Sequence, residues 1–208
     1  MLFRSGGNVS FYNESPDASV YPTPVIGMVG IIDNVKNITT SYFKNEDDLI
    51  YVLGEDFEEI GGSEYLAVEH KIVAGKIPTL NMDTELALQK TVLSLIEKGL
   101  INSAHDISEG GIMIAAAECC IINREKPVGA EINIQIKTRE DFSLFSESQS
   151  RVIVTVNKNK KEEFEELLKI NKQIFYLIGT TRADKFKVNE YCFELSELSD
   201  LYYNTITK

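Results

Sequence analysis

Hydrophobic residues follow two spacings along this chain, one typical of strands and one typical of helices. Short apolar runs rich in β-branched residues, bounded by Gly, Pro or polar residues, predict strands. These runs cover residues 24–32, 49–53, 129–136, 151–156 and 174–181, and a shorter, half-apolar run covers residues 103–107. Residues 151–156 alternate too little to face water, so the sequence predicts a sheet that is covered by helices.

Helical spacing is clearest in residues 82–100. The predicted buried face consists of Leu86, Leu93, Ile96 and Leu100. Asp83 is the candidate N-cap of this helix, and Gly99 stands where a C-terminal glycine is common.

Two further segments have helical patterns. Residues 108–122 begin with Ser108, a candidate cap, and are apolar nearly all round, which predicts a helix that is buried on most sides. Residues 160–169 place Phe164, Leu167 and Leu168 at helical spacing between two strands, as in a βαβ unit. Residues 140–148 are predicted to form a short helix or a turn. The order of elements indicates an α/β or α+β fold with helices packed on a mixed sheet.

Composition and charge narrow the functional classes. The net charge is −11, and lysines are mixed with glutamates along the chain, which opposes binding to polymeric nucleic acid. No apolar run is long enough for a membrane helix, and no apolar signal-peptide region is present, which favours a cytoplasmic protein without a membrane partner. Cys119, Cys120 and Cys192 form neither a C-x-x-C pair nor a Cys/His cluster, so we expect packed thiols.

A polar, glycine-rich loop near the start of the chain is the first candidate site. It contains Gly6, Gly7, Asn8, Ser10, Asn13 and Glu14. Glycines allow a backbone to approach a phosphate closely, and small polar side chains can bind a hard cation, so the loop suits a magnesium nucleotide. The same residues also suit an ordinary turn, and no P-loop motif occurs in the chain.

Two later motifs are the other candidates. In SAHDISEGG, a strand brings His105 and Asp106 to a helix start, where free N–H groups can attract an anion. A tightly packed turn with His105 in the core explains the motif equally well. In FSESQSR, the side chains of Glu147, Ser148, Gln149 and Arg151 gather before a buried strand, either to read a polar ligand or as a solvated loop.

Taken together and in order, GGNVSFYNE, PTPVIGMVGIID, GGSEYL, SAHDISEGG, AECC and SESQSR resemble phosphoribosylformylglycinamidine synthase in its small synthetase-subunit form. This enzyme is the amidine ligase of purine biosynthesis. DISEGG alone is typical of the wider family of aminoimidazole ribonucleotide synthetase-like proteins, whereas GNVSFYNE followed by PTPVIGMVG is narrower and selects the amidine ligase.

The resemblance implies a domain organisation. Residues 1–45 would be the remnant of an N-terminal, barrel-forming domain, and residues 46–208 a C-terminal α/β domain like that of aminoimidazole ribonucleotide synthetase. The chain would thus be the last part of the second half of the enzyme, and the isolated chain would be inactive. The exposed apolar strand at residues 24–32 could pair with another subunit or form a homodimer.

The resemblance also implies a reaction and its ligands. ATP would phosphorylate the amide oxygen of formylglycinamide ribonucleotide, and ammonia from a glutaminase subunit would displace the phosphate. Gly7 would contact ATP, Asn8 would bind Mg²⁺ and Ser10 would contact the ribonucleotide. The upstream synthetase segments carry the catalytic residues, so none is assigned in this chain; a small accessory subunit completes the complex. In the first half of the enzyme, the motif of Glu147, Ser148 and Gln149 contacts substrate, and its role here is open.

Two alternatives remain. The chain could be a non-catalytic nucleotide-binding or assembly module, or another ATP-using member of the wider family. An upstream reading frame that carries the missing catalytic histidines would favour the amidine ligase.

Overall fold

The computed structural model describes residues 34–205, together with Pro16, Ser19, Gly27 and residues 29–32. The chain divides into two units, residues 1–36 and residues 37–208. The predicted domain border after residue 45 concerns the parent enzyme and stays a prediction.

A mixed sheet of seven strands forms the centre of the second unit. The strands are β1 (Leu49–Leu53), β2 (Ser103–Asp106), β3 (Gly129–Ile132), β4 (Val152–Val156), β5 (Phe175–Arg182), β6 (Lys185–Val188) and β7 (Tyr191–Glu194). Their order across the sheet is β2-β4-β1-β5-β3-β6-β7. The β3–β6 pair is parallel and the other pairs are antiparallel, so the predicted mixed sheet is confirmed.

Strand β1 lies between β4 and β5 and is antiparallel to both. Strands β4 and β5 therefore run in the same direction, and the helix between them returns the chain across the sheet. The predicted βαβ unit is present, split by the inserted strand β1.

The described residues form six α-helices, and five of them contribute buried side chains. They are α1 (Glu64–His70), α2 (Met82–Glu97), α3 (Gly111–Ile121), α4 (Glu140–Phe145), α5 (Lys161–Ile170) and α6 (Leu195–Asn204). Side chains of β1 point alternately to the two faces: Ile50 and Val52 pack with α3, α4 and α6, whereas Tyr51 and Leu53 pack with α2 and α5. The sheet thus separates two hydrophobic cores, as expected for a strand that is buried on both sides.

The predicted buried face of α2 is half right: Leu100 is buried and Ile96 packs against the core, but the other two residues are exposed. Leu86 and Leu93 are 46% and 55% exposed, and the helix buries Leu88, Thr91 and Leu95 instead. Both sets have helical spacing, and the packing of α2 against the sheet and α5 selects the second one. The predicted cap is wrong: the side chain of the N-cap, Asn81, accepts hydrogen bonds from the N–H groups of residues 83 and 84.

Other predictions for the helices hold. Gly99 follows α2 with φ of 61°. Helix α3 buries seven of its eleven residues, among them Cys119 and Cys120. The prediction of packed thiols is wrong for Cys192, which is exposed on strand β7. Helix α5 buries Phe164, Leu167 and Leu168 as predicted.

Two of the predicted strands differ from those in the structure. Strand β3 stops at Ile132. Asn133 N still donates to Ile178 O (2.7 Å), but Ile134 N donates to the side chain of Asn189 (2.8 Å) and not to a neighbouring strand. The strand predicted over residues 24–32 lies partly outside the described residues, and its described part, Gly27 and residues 29–32, forms no strand. A strand needs a hydrogen-bonded neighbour, and no described residue pairs with this part.

Candidate functional site

The two later sequence motifs meet at one end of the sheet. Strand β2 is antiparallel to β4, and Asp106 at the end of β2 is opposite Val152 at the start of β4. The SEGG turn that follows β2 and the SESQSR segment that precedes β4 are therefore neighbours.

Glu147 joins this end of the domain to two helices. One carboxylate oxygen, Oε1, accepts hydrogen bonds from Gly110 N (2.8 Å) at the start of α3 and from Glu64 N (2.9 Å) at the start of α1. Its own N–H donates to Glu59 O (2.9 Å). A negative charge at helix N-termini satisfies free N–H groups and complements the helix dipoles. Glu147 is therefore held by the protein.

The cap of α3 corrects the prediction for Ser108. The N-cap is Gly110, and it has no side chain to accept a hydrogen bond. Glu147 supplies the acceptor instead, and Ser108 contributes its carbonyl oxygen to Gly111 N (3.1 Å). The anion that such a helix start attracts is thus part of the chain itself.

We expect Glu147→Ala to lower the free energy of unfolding by about 2 kcal/mol, because two helix N–H groups lose a charged acceptor. Glu147→Gln keeps an uncharged acceptor, and we expect less than half of that loss. Urea denaturation of the two variants and the parent chain measures the difference. Equal loss in both variants would show that the charge, rather than the acceptor, is what matters.

Ser148 and Gln149 lie on opposite sides of the same segment. Ser148 is fully buried, and its Oγ accepts hydrogen bonds from Phe57 N (3.1 Å) and Glu59 N (3.4 Å). Gln149 is exposed, and its amide donates to Glu147 O (3.1 Å). Of Glu147, Ser148 and Gln149, whose role is open, only Gln149 is exposed; Glu147 is half-buried.

The buried side chain of Arg151 donates hydrogen bonds to the backbone of the segment that precedes β4. It is 3% exposed, its Nε donates to Ser148 O (2.9 Å) and its Nη2 donates to Ser146 O (2.6 Å). Its Nη1 lies 3.6 Å from Asp56 Oδ1. Burial lowers the pKa of Arg151, whereas the carboxylates of Asp56, Glu59 and Glu147 raise it. Neither the solvated loop nor a free ligand-reading cluster describes this segment, because most of its polar groups are buried and bonded.

Asp56 is the residue that the sequence analysis missed. Its Oδ1 accepts hydrogen bonds from Ser146 Oγ (2.5 Å) and Glu58 N (2.8 Å). It lies in the acidic run GEDFEE, and no local pattern shows which carboxylate of that run turns inward.

The glycine pair of SEGG allows two backbones to meet. Gly110 and Gly111 have φ of 74° and 65°. A Cβ atom on Gly111 would lie 2.6 Å from Ser146 O and 2.8 Å from Leu144 O. Gly111 therefore serves close packing of α3 against the segment before β4, whereas a Cβ atom on Gly110 would meet Ile114 of α3.

His105 is held between two acidic groups. Its side chain is 11% exposed, and its Nε2 lies 3.4 Å from Glu118 Oε2. Its Nδ1 lies 2.6 Å from Asp106 O. The hydrogen bond with Glu118 raises the pKa of His105, burial lowers it and Asp106 raises it, and the net direction is upward. This arrangement agrees with the tightly packed turn.

The raised pKa of His105 predicts how stability depends on pH. A group with a raised pKa in the folded state stabilises fully below its unfolded value, about 6.5. That contribution is lost as pH rises through the higher folded value. We expect Glu118→Gln to remove this dependence, measured as the urea midpoint between pH 5.5 and 8.5. A pH dependence that persists in the variant would contradict the assignment.

The predicted ligand-binding residues Gly7, Asn8 and Ser10 lie outside the described residues, as do Gly6, Asn13 and Glu14 of the same loop. Within the described part of the chain, no group of three His, Cys, Asp or Glu side chains could hold a metal ion. In that part, no helix is long and apolar enough to cross a membrane.

Comparison with known proteins identifies the family of this domain. The family described as AIR synthase related protein, C-terminal domain, matches residues 45–189. The chain belongs to the family of AIR synthase-related C-terminal domains.

The chain is also similar in sequence to a named protein, a PurL subunit. The phosphoribosylformylglycinamidine synthase subunit PurL of Thermoanaerobacter pseudethanolicus is 52% identical over 157 residues, which cover 76% of this chain and 21% of the relative. The chain thus spans about a fifth of the length of that relative.

Solved structures show the same fold. Thermotoga maritima PurL complexed with ATP superposes with a TM-score of 0.62 at 16% identity, over 79% of this chain and 28% of that one. The T. maritima PurL complex with FGAR gives 0.63 at 19% identity, over 79% and 30% of the two chains. At this identity, the likeness concerns the fold of the AIR synthase-related domain, and the predicted fold class is confirmed.

The matched residues 45–189 of the AIR synthase-related domain contain β1 to β6 and the whole Glu147–Arg151 segment. The contacts of Glu147 and Arg151 therefore lie within the matched region.

Proposed function

We propose that this chain is part of a phosphoribosylformylglycinamidine synthase, the ATP-dependent ligase that converts formylglycinamide ribonucleotide to its amidine. The observation that carries this proposal is the 52% identity to a PurL subunit over 157 residues. It is supported by the GGNVSFYNE and PTPVIGMVG motifs, which are narrower than the family as a whole.

The reaction needs an activated amide. Amide oxygen is a poor leaving group, whereas phosphate is a good one, so ATP phosphorylates the oxygen before ammonia attacks the carbon. A magnesium ion, when bound, screens the charge of the phosphates. In this proposal Gly7 contacts ATP, Asn8 binds the magnesium ion through its amide oxygen, and Ser10 contacts the ribonucleotide. The solved relatives that carry ATP or FGAR support nucleotide and substrate classes of this kind.

In this proposal the described domain supplies no reacting group. The polar groups of Glu147, Ser148 and Arg151 are bonded to the protein itself. The remaining synthetase segments, a glutaminase subunit and a small accessory subunit would complete a cytoplasmic enzyme. Homodimer formation through residues 24–32 stays a prediction.

Reconstitution tests the proposal. The purified chain is mixed with the segment of the T. pseudethanolicus relative that precedes the region of similarity, and phosphate release is measured with formylglycinamide ribonucleotide, Mg-ATP and ammonium. We expect substrate-dependent release from the mixture and from neither part alone. Asn8→Ala should reduce the rate at least tenfold, about the effect of losing one strong ligand contact. Asn159→Ala, at an exposed position of the C-terminal domain, should leave it unchanged.

Two results would contradict the proposal. Parts that co-elute as a complex but release no phosphate would favour an assembly module. A mixture in which Asn8→Ala keeps the parent rate would remove Asn8 from the magnesium site. Calorimetric titration of Mg-ATP into the chain alone, with Asn8→Ala as the control, then shows whether the loop binds the nucleotide without the other segments.

A further inference from the structure

A cavity of about 180 Å³ is lined in part by Arg151, the buried residue of the segment that precedes β4. Its inner wall is apolar and consists of Val52, Ile112 and Ile178, which are all at least 91% buried. It is smaller than the roughly 300–1,000 Å³ of pockets for drug-sized ligands, so it can hold a single ring system.

Arg151 contributes the one buried charge of the wall. Its Nε and Nη2 donate to backbone oxygens at 2.9 and 2.6 Å. Among the described residues, the contact of Nη1 is Asp56 Oδ1 at 3.6 Å, which is longer than a hydrogen bond. This nitrogen therefore keeps hydrogen-bonding capacity among the described residues, and a guanidinium N–H can donate to an oxygen acceptor in the cavity.

The charges around the cavity balance. Arg151 faces Asp56, and Lys137 Nζ lies 3.1 Å from Glu55 Oε1. An anionic ligand would bring a charge with no free cation beside it. A carbonyl oxygen accepts a hydrogen bond without that cost.

The mouth of the cavity provides a flat surface and two amides. Tyr176 and Leu177 are 45% and 48% exposed. Asn133 and Gln135 also line the cavity, and their side chains have no hydrogen-bond partner among the described residues. Amides both donate and accept, as the edge of a heterocycle does, and an aromatic side chain favours a planar ligand.

We propose that this cavity binds an uncharged, planar heterocycle with a ring carbonyl, of the size of a nucleobase. Arg151 Nη1 donates to the carbonyl oxygen, the apolar wall covers the ring, and Asn133 and Gln135 bond to its edge. The proposal concerns residues 52–178 and does not depend on the proposed ligase activity.

Three probes of similar size test the proposal on the full chain by NMR titration of the backbone amides. Hypoxanthine has a ring carbonyl, purine has the same skeleton without it, and benzoate carries a charge. We expect saturable shifts at residues of the cavity for hypoxanthine, with a Kd in the millimolar range for about ten heavy atoms. Purine and benzoate should bind at least tenfold more weakly, because a hydrogen bond from a charged donor is lost or a charge is buried.

A cavity-filling variant locates the site. Leu177→Trp should reduce hypoxanthine binding at least tenfold, whereas Leu86→Trp, at a similarly exposed leucine of α2 outside the cavity, should not change it. Gln135→Ala, at an exposed residue, provides a second variant that leaves the core intact and should weaken binding. Equal binding of hypoxanthine and purine, preference for benzoate, no saturable shift with any probe, or unchanged binding in both Leu177→Trp and Gln135→Ala would each overturn the proposal.

Discussion

Replacement of Arg151 by methionine is expected to lower the free energy of unfolding by about 3–5 kcal/mol, the usual cost of breaking a buried ion pair by removing one partner. The guanidinium group donates to Ser146 O and Ser148 O and lies beside Asp56. Methionine fills a similar volume but leaves two backbone carbonyl groups without their donor and the Asp56 carboxylate without its neighbouring positive charge. The segment before β4 then loses the residue around which it folds.

Urea denaturation of Arg151→Met measures this loss. Arg182→Met is the matched control, because Arg182 also has two acidic neighbours, Asp47 and Glu131, but is 45% exposed. Exposed ion pairs contribute about 0–1 kcal/mol, so the control should change little. Similar midpoints for the two variants would show that burial of the guanidinium group does not determine stability here.

Substitution of Gly111 by alanine is expected to cost about 2–5 kcal/mol. A positive φ costs an L-residue roughly 1–2 kcal/mol, and overpacking adds about 1–3 kcal/mol. The new methyl group would meet the backbone of residues 144–146, which cannot rotate away as a side chain can. Helix α3 or the segment before β4 must therefore move.

A variant at Gly99 separates the conformational cost of a positive φ from the cost of overpacking. The φ of 61° at Gly99 is similar to the 65° of Gly111, but a Cβ atom there would meet nothing within 4 Å. We expect Gly99→Ala to cost about 1–2 kcal/mol, the conformational part alone. Denaturation curves of the two variants give the packing part by difference. Equal costs would contradict the close contact between Gly111 and residues 144–146.

Local patterns were sufficient for the central strands and for α5. Strands β1, β4 and β5 are short apolar runs, and Phe164, Leu167 and Leu168 leave one choice of buried face. Helix α2 offers two apolar stripes at the same spacing, and packing alone decides between Leu86 and Leu88. Local spacing cannot resolve such a choice.

The last three elements, β6, β7 and α6, were not predicted. Strand β7 has mixed burial, and α6 begins directly after it at Leu195. The alternating spacing of a strand and the spacing of a helix are therefore each too short to be recognised in the sequence. Helix α1 was missed for a similar reason, because it has seven residues and no buried side chain.

The candidate site shows where sequence reasoning ends. SEGG and SESQSR were identified as separate motifs, and their residue types indicated a helix cap and a polar cluster. The bond from Gly110 to Glu147 joins residues 37 positions apart. The sequence holds no signal for this pairing or for the choice of Asp56 within GEDFEE. Contacts that depend on the register of β2 against β4 need the fold.

The position of β1 between β4 and β5 affects how the domain folds. Its hydrogen-bonding partners include Val156 and Thr180, far along the chain from Leu49. During synthesis β1 therefore emerges well before either neighbour, with both edges unpaired and apolar residues on both faces. Sheets that depend on such distant pairings form slowly, and unpaired apolar strands tend to aggregate. We therefore expect this domain to be most vulnerable to aggregation while the ribosome still holds its last third, and to become safe when β5 closes the second edge of β1.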